Sequence, residues 1–349
     1  MLPSDVRAIA RAISAVENRT GECQSLLAQA YRLPRWADVI GVTGPPGVGK
    51  STLVDALTAH WAASGARVAI LAIDPSSPYS GGALLGDRIR RRRSTAFDNT
   101  YFRSLASRGH VGGLTNTLTD LVAVLSLFEF GRVTVETVGA GQSDVEIHET
   151  ADCTVVLTVP GLGDGVQASK AGLMEIGDVF AVNKADLAGA DSAVRDIEDA
   201  LGAAYRGRPG VNEREDGAVA APGAGRATTP GQAALRRRHG EGGCDASNWV
   251  PPVLRLVASE NRQVPELAAR IDEFVAWSER TGRRRARTRE RAYAQIVRAL
   301  SALLLEPYLR RPGHDALPAA VAPWVERIVE GAASPHEAAR ALARKRLTP

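Results

Sequence analysis

Short apolar runs and helix-spaced apolar positions alternate along the middle of this 349-residue chain. Val39-Ile40-Gly41-Val42 predicts a buried strand and Leu53 to Ala63 a helix. Arg67 to Ile73, Val133-Thr134-Val135, Thr154 to Val159 and Val179-Phe180-Ala181-Val182 predict further strands, and Pro252 to Ala258 a last one. Strands separated by helical stretches, from Trp36 to about Leu201, are the signature of an α/β fold whose largely parallel sheet is covered on both faces. Ahead of this region, Asp5 to Ala30 predicts two helices, with Val6, Ile9, Ile13 and Val16 on one face. Beyond it, Tyr293, Ile296, Val297, Leu300, Leu303 and Leu304 recur at helical spacing. Ser334-Pro335-His336-Glu337 reads as a capping box that opens a terminal helix. The expected organisation is an N-terminal helical extension over 1–35, an α/β domain over 36–275 and a C-terminal helical arm over 276–349. Within the central domain, residues 206–247 have the Gly, Pro, Ala and charge content of a disordered insert.

The turn after the first strand carries the chemistry. Gly44-Pro45-Pro46-Gly47-Val48-Gly49-Lys50-Ser51-Thr52 is a complete P-loop, set between a strand and a helix as that motif requires. Its glycines let backbone N–H groups crowd around phosphate oxygens, and the helix N-terminus adds its dipole. Lys50 supplies a point charge for the β- and γ-phosphates, and the Ser51 hydroxyl suits Mg²⁺.

The base is written at the end of a later strand, in Asn183-Lys184-Ala185-Asp186. A carboxylate at Asp186 accepts from both the ring N–H and the exocyclic amino group of guanine. Adenine offers no such pair, and a site built for a hydrogen bond rejects the analogue that lacks it. Lys184 would lie along the base plane, and Asn183 would hold neighbouring loops. Asn, Lys and Asp also make ordinary turns after strands. Downstream of a P-loop, at the carboxyl end of a strand, they point to GTP and GDP.

Between these anchors lie residues suited to sensing the γ-phosphate. Asp74 ends the second strand, Asp87 follows a glycine-rich stretch, and Glu136 occupies the place of a Walker-B acid. Together with Ser51 they are the candidate Mg²⁺ ligands. Gly139 can offer its N–H to the γ-phosphate. Lys50, Asp74, Glu136, Gln142 and Lys170 are the candidate catalytic residues, with Asp74 expected to orient the attacking water and Gln142 as the alternative.

Composition narrows the class. Apolar residues make up 44% with no run long enough to span a bilayer. Met1 to Ala10 is charged and broken by Pro3, unlike a signal peptide, so a cytoplasmic protein is expected. Cys23, Cys153 and Cys244 are far apart, which suits a reducing compartment, and Cys153 reads as buried packing. Net charge is +4, but arginine clusters at 88–93, 236–238 and 283–291. Such clusters can neutralise phosphate. No aromatic residues interleave with them and Glu279 and Glu290 flank or interrupt the last, so solvated helix faces and acidic protein partners are expected rather than nucleic acid.

GPPGVGKST, AIDPSSPYSGGALLGD, SRGHVGGL, ETVGAGQSD, VPGLGDGVQASKAGLMEIGD and NKAD together resemble the MeaB/ArgK GTPases. That family consists of methylmalonyl-CoA-mutase-associated chaperones related to the methylmalonic aciduria type A protein. The resemblance runs from about Val39 to Asp186 and resumes at Trp249 to Leu254. It implies a P-loop NTPase of the SIMIBI type and Mg²⁺-dependent GTP hydrolysis. It also implies a homodimer made through the C-terminal arm, and a partner that is an adenosylcobalamin-dependent acyl-CoA mutase. GTP hydrolysis would gate loading of that cofactor. By the same resemblance, Asp74 to Arg93 corresponds to switch I, Glu136 to Asp144 to switch II, and Gly161 to Lys170 to a third switch, from which a docked mutase would press Lys170, or an arginine from Arg88 to Arg93, towards the phosphates. Val257-Ala258-Ser259-Glu260-Asn261-Arg262 takes the place of the guanine-supporting loop, which places Ser259 against the base. The chain departs from the pattern there, where Gly-x-Gly is usual, and again in the arginine run after Asp87 and in the long 206–247 insert.

Two other readings compete. A nickel-insertion GTPase shares the fold, but the six histidines are scattered, with no i,i+4 pair and no cysteine pair. A nucleotide-switched scaffold without productive hydrolysis would carry the same loops.

Overall fold

The computed structural model describes residues 3–74, 94–106, 113–137, 143–161, 174–205, 249–305 and 318–330, together with 332, 334, 335, 337, 338, 341 and 342. Two helices, α1 (Pro3–Glu17) and α2 (Cys23–Ala30), precede β1 (Asp38–Thr43) and α3 (Lys50–Ala63). Next come β2 (Val68–Asp74), β3 (Thr100–Ala106), α4 (Gly113–Leu127), β4 (Arg132–Thr137), α5 (Ser143–Thr150) and β5 (Cys153–Thr158). They are followed by β6 (Val179–Val182), α6 (Ala190–Tyr205), β7 (Val253–Arg255), α7 (Val264–Arg280), α8 (Arg283–Leu305) and α9 (Ala322–Val329).

The seven strands form one sheet in the order β3-β2-β4-β1-β5-β6-β7, and every neighbouring pair is parallel. Both faces are covered, and the strand period of two divides the side chains between them. Strand β2 sends Val68 and Ile70 to one face, where Leu53, Leu57 and Trp61 of α3 and Leu267, Ile271 and Phe274 of α7 pack. It sends Ala69, Leu71 and Ile73 to the other, against Leu121 and Leu125 of α4, Ile147 of α5 and Ile9, Ile13 and Val16 of α1. Each Val, Leu, Ile or Phe among these contributes about 1.5–3 kcal/mol when fully buried. The expected apolar face of α1 is therefore buried, except that Val6, near the helix start, is 41% exposed.

The chain divides into two compact units, residues 1–109 with 113–288, and 110–112 with 289–349. The first holds the whole sheet. In the second, Tyr293, Ile296, Val297 and Leu300 of α8 are exposed, so along this stretch the apolar stripe is not intramolecular core. The capping box is formed there: the Ser334 N–H donates to Glu337 Oε2 at 2.8 Å and the Glu337 N–H to Ser334 Oγ at 3.2 Å. Among the described residues no helix is long and apolar enough to cross a membrane.

Edge strand β3 has no apolar run to announce it, because Arg103 and Ser104 interrupt the pattern. Its polar positions are used, since Arg103 pairs with Glu17 of α1. The last strand is shorter than expected and gives way to a 3₁₀ turn at Ala258–Glu260. Cys153 is wholly buried, as expected of a packing thiol.

Candidate nucleotide site

Strand β1 ends at Thr43 and helix α3 begins at Lys50, so the P-loop occupies the turn between them. Two of its glycines are there by necessity. Gly44 has φ +145°, and a Cβ on it would lie 2.1 Å from the Leu157 carbonyl oxygen of β5. Gly49, the N-cap of α3, has φ +96°, and a Cβ would lie 2.5 Å from Asn183 Nδ2. Any side chain at either position meets both backbone strain and a collision. The loop thus passes close to β5 and β6 on its way to the helix.

Lys50 is buried, and its Nζ donates to the carbonyls of Gly44 at 2.6 Å and Pro45 at 3.1 Å. Its charge is therefore held over the mouth of the loop. Ser51 follows in the first helical turn, half-buried, and Thr52 is exposed. Val48 is buried, while Pro46 and Gly47 are exposed.

Glu136 lies wholly buried near the end of β4, the strand beside β1. Its Cα stands in register with Val42 of β1 on one side and Ala72 of β2 on the other. This acid belongs to the strand interior rather than to the loop after it, one position earlier than the end of β4. Asp74 closes β2, in register with Ala106 of β3. Ser51, Glu136 and Asp74 thus stand on elements that meet at the carboxyl edge of the sheet, where hard oxygen donors such as the Ser51 hydroxyl and the Glu136 carboxylate fit Mg²⁺. Asp87, Gly139, Gln142 and Lys170 lie outside the described residues.

Asn183 joins three separate segments. Its Nδ2 donates to the Val48 carbonyl at 2.8 Å, and its Oδ1 accepts from the Ala258 N–H at 3.0 Å. Lys184, with φ +55°, reaches across to the Gly47 carbonyl at 3.1 Å. The Ala185 N–H donates to the Leu256 carbonyl at 3.1 Å, and Asp186 is exposed beside it. Base loop, P-loop and the loop after β7 are therefore one hydrogen-bonded assembly, with Ser259 exposed in the 3₁₀ turn. The missing Gly-x-Gly is compensated in the backbone, since Asn261 (φ +59°) and Gln263 (φ +61°) adopt the left-handed conformation that glycine favours. Sequence reasoning had no way to foresee Gln263, which is not a residue that favours this region.

The sequence profile described as "Methylmalonyl Co-A mutase-associated GTPase MeaB" matches residues 9–310. The chain belongs to the MeaB family of GTPases. A Pyrococcus abyssi protein named as a GTPase is 39% identical over 87% of this chain and 83% of its own length. GTPase ArgK of Escherichia coli is 37% identical over 51% of this chain and 55% of its own. The methylmalonic aciduria type A homolog of Mus musculus is 36% identical over 42% and 35% respectively. A crystal structure of a LAO/AO transport system kinase shares the fold, with a TM-score of 0.60 and 21% identity across 99% of this chain and 97% of that one. As a MeaB-family member with a P-loop NTPase fold, the protein is a GTP-hydrolysing enzyme related to the mutase-associated chaperones.

Proposed function

We propose that this GTPase serves an adenosylcobalamin-dependent acyl-CoA mutase, protecting it and gating the loading of its cofactor through GTP hydrolysis. The observation that carries the reading is the family match across residues 9–310, which spans the P-loop, the base loop and all of α8. The same reading makes the protein a homodimer. The exposed stripe of Tyr293, Ile296, Val297 and Leu300 supports it, because four apolar side chains on one helical face favour a partner over water.

The chemistry follows from the residues in place. The P-loop amides and α3 N-terminus bind the phosphates, and Lys50 leaves the Gly44 and Pro45 carbonyls to neutralise them. Ser51, Glu136, Asp74 and Asp87 would hold Mg²⁺, which, when bound, neutralises charge on the β- and γ-oxygens. Asp186 reads guanine, Lys184 covers it, and Asn183 with Ser259 closes the base side. Asp74 orients the water, with Gln142 the alternative. Positioning and charge stabilisation supply most phosphoryl-transfer catalysis, so a site awaiting its partner turns over slowly.

The decisive experiment is GTP turnover with and without the cognate mutase. About 10-fold stimulation or more is expected, with Lys170→Ala losing much of it and keeping nucleotide affinity. An unchanged rate with mutase demonstrably bound rules out gating. Parental hydrolysis by Asp74→Ala, together with loss in Gln142→Ala, would transfer the water-orienting role to Gln142.

A further inference from the structure

At the sheet edge opposite the P-loop, three adjacent strands begin with an aspartate. Asp38 opens β1, Asp152 immediately precedes β5, and Asp178 immediately precedes β6. The last two repeat one motif. The Asp152 N–H donates to the Val39 carbonyl at 2.8 Å while its Oδ2 accepts from the Val39 N–H at 3.0 Å. The Asp178 N–H donates to the Thr154 carbonyl at 2.9 Å while its Oδ2 accepts from the Thr154 N–H at 2.8 Å. Each aspartate thereby pins the foot of its strand to the next strand in the sheet.

The root of α8 bears on these feet. Arg284 pairs with Asp38 at 2.5 Å and Asp152 at 3.5 Å, and is steadied by Glu279 at 3.0 Å. Arg287 donates to the Asp152 carbonyl at 2.6 Å and pairs with Asp178 Oδ1 at 3.3 Å. The spacing has a geometric cause. Residues three apart on a helix rise about 4.5 Å, and neighbouring strands lie about 4.8 Å apart. Two arginines one turn apart therefore meet the feet of successive strands. The groups are sequestered, with Asp178 fully buried and the Arg287 and Arg284 side chains only 13% and 15% exposed. Buried charges of this kind persist only when paired, and an arginine fork suits two acceptors at once. Arg287 also lies over the Phe274 ring and Arg283 over Trp277, so the root rests on α7 as well.

The carboxyl ends of the same three strands lead to the P-loop, the Gly161 stretch and the Asn183 loop. We propose that Arg284 and Arg287 are positioning residues for the nucleotide site. From the far ends of β1, β5 and β6 they set the relative placement of P-loop and base loop, and they tie nucleotide occupancy to how firmly the root of α8 is held. The inference rests on the nucleotide being bound where the P-loop and Asn183 meet, and on nothing about the mutase.

Hydrogen exchange followed by mass spectrometry on the full chain tests it. Peptides covering 150–156, 176–181 and 280–290 are compared with and without a non-hydrolysable GTP analogue and Mg²⁺, and calorimetry on the same samples establishes that the analogue is bound. The root peptide is expected to exchange about 10-fold more slowly with nucleotide, within the usual range of coupling between sites. In the Asp178→Asn/Arg287→Met pair, which keeps an acceptor for Thr154 and leaves no buried charge alone, that difference should collapse. GTP affinity should fall by the matching factor, because linkage is reciprocal. Arg287→Lys, which retains the charge without the fork, should fall between and covers the case in which the pair does not fold. Root exchange that ignores bound nucleotide, or parental affinity in the variants with only a lower Tm, would leave the arginines as a static brace and overturn the proposal.

Discussion

Asn183 donates to the carbonyl of Val48 at 2.8 Å, across 135 positions of sequence. The same side chain accepts from Ala258 at 3.0 Å, so one amide fixes the P-loop relative to both base-side loops. Both bonds are buried, and each partner left unsatisfied costs about 1–3 kcal/mol. Asn183→Ala is therefore expected to lower unfolding stability by a few kcal/mol on that scale and to weaken GTP binding as well. Urea unfolding and calorimetry on the same variant check both effects.

Guanine selectivity is expected to rest on Asp186, exposed beside the Ala185–Leu256 hydrogen bond. GTP and GDP should bind at least ~10²-fold better than ATP and ADP, because adenine leaves the carboxylate without donors. Asp186→Asn should shift preference towards xanthine nucleotides. Equal affinities for ATP and GTP in a calorimeter would end the assignment.

Lys50→Ala should abolish productive triphosphate binding, since no other cation among the described residues is held over the loop by Gly44 and Pro45. Glu136→Ala should instead leave a nucleotide-binding protein whose hydrolysis is slower and less dependent on Mg²⁺. Steady-state turnover across a Mg²⁺ titration distinguishes the two.

The apolar stripe of α8 makes its own prediction. Leu300→Asp, at a side chain 54% exposed, should shift sedimentation from dimer to monomer at micromolar concentration while the fold survives. A parental protein that sediments as a monomer would remove the dimer from the proposal.

Asp120 supplies a pH test. Burial pushes its carboxyl above the usual 3.8, against the opposing pull of the Tyr31 hydroxyl and the Arg19 guanidinium. The folded state then holds this proton more tightly than the unfolded one. Its contribution is thus fully present below pH 3.8 and is lost as pH rises through the higher folded value. Asp120→Asn removes that titration, so its stability relative to the parent should improve between pH 4 and pH 7. Urea unfolding at the two pH values measures the difference, and a change in the opposite direction contradicts it.

The nucleotide loops were legible because their chemistry is contiguous. Gly44 to Thr52 and Asn183 to Asp186 each need only a strand before them and the right residues in a row, and a short apolar run suffices to predict that strand. The alternation of runs likewise determined the parallel, doubly covered sheet. Relations between segments were settled only by the tertiary structure. Edge strand β3 lacks an apolar run, and the guanine loop without Gly-x-Gly takes its shape from Asn261 and Gln263 held in left-handed backbone. The arginines of α8 show the difference most plainly. As a sequence, 283–291 reads as a charged, solvated face, and nothing local tells Arg284 and Arg287 from Arg285 and Arg289. They are taken out of solvent because the sheet brings Asp38, Asp152 and Asp178 side by side at strand spacing, an arrangement that exists only once distant segments have paired.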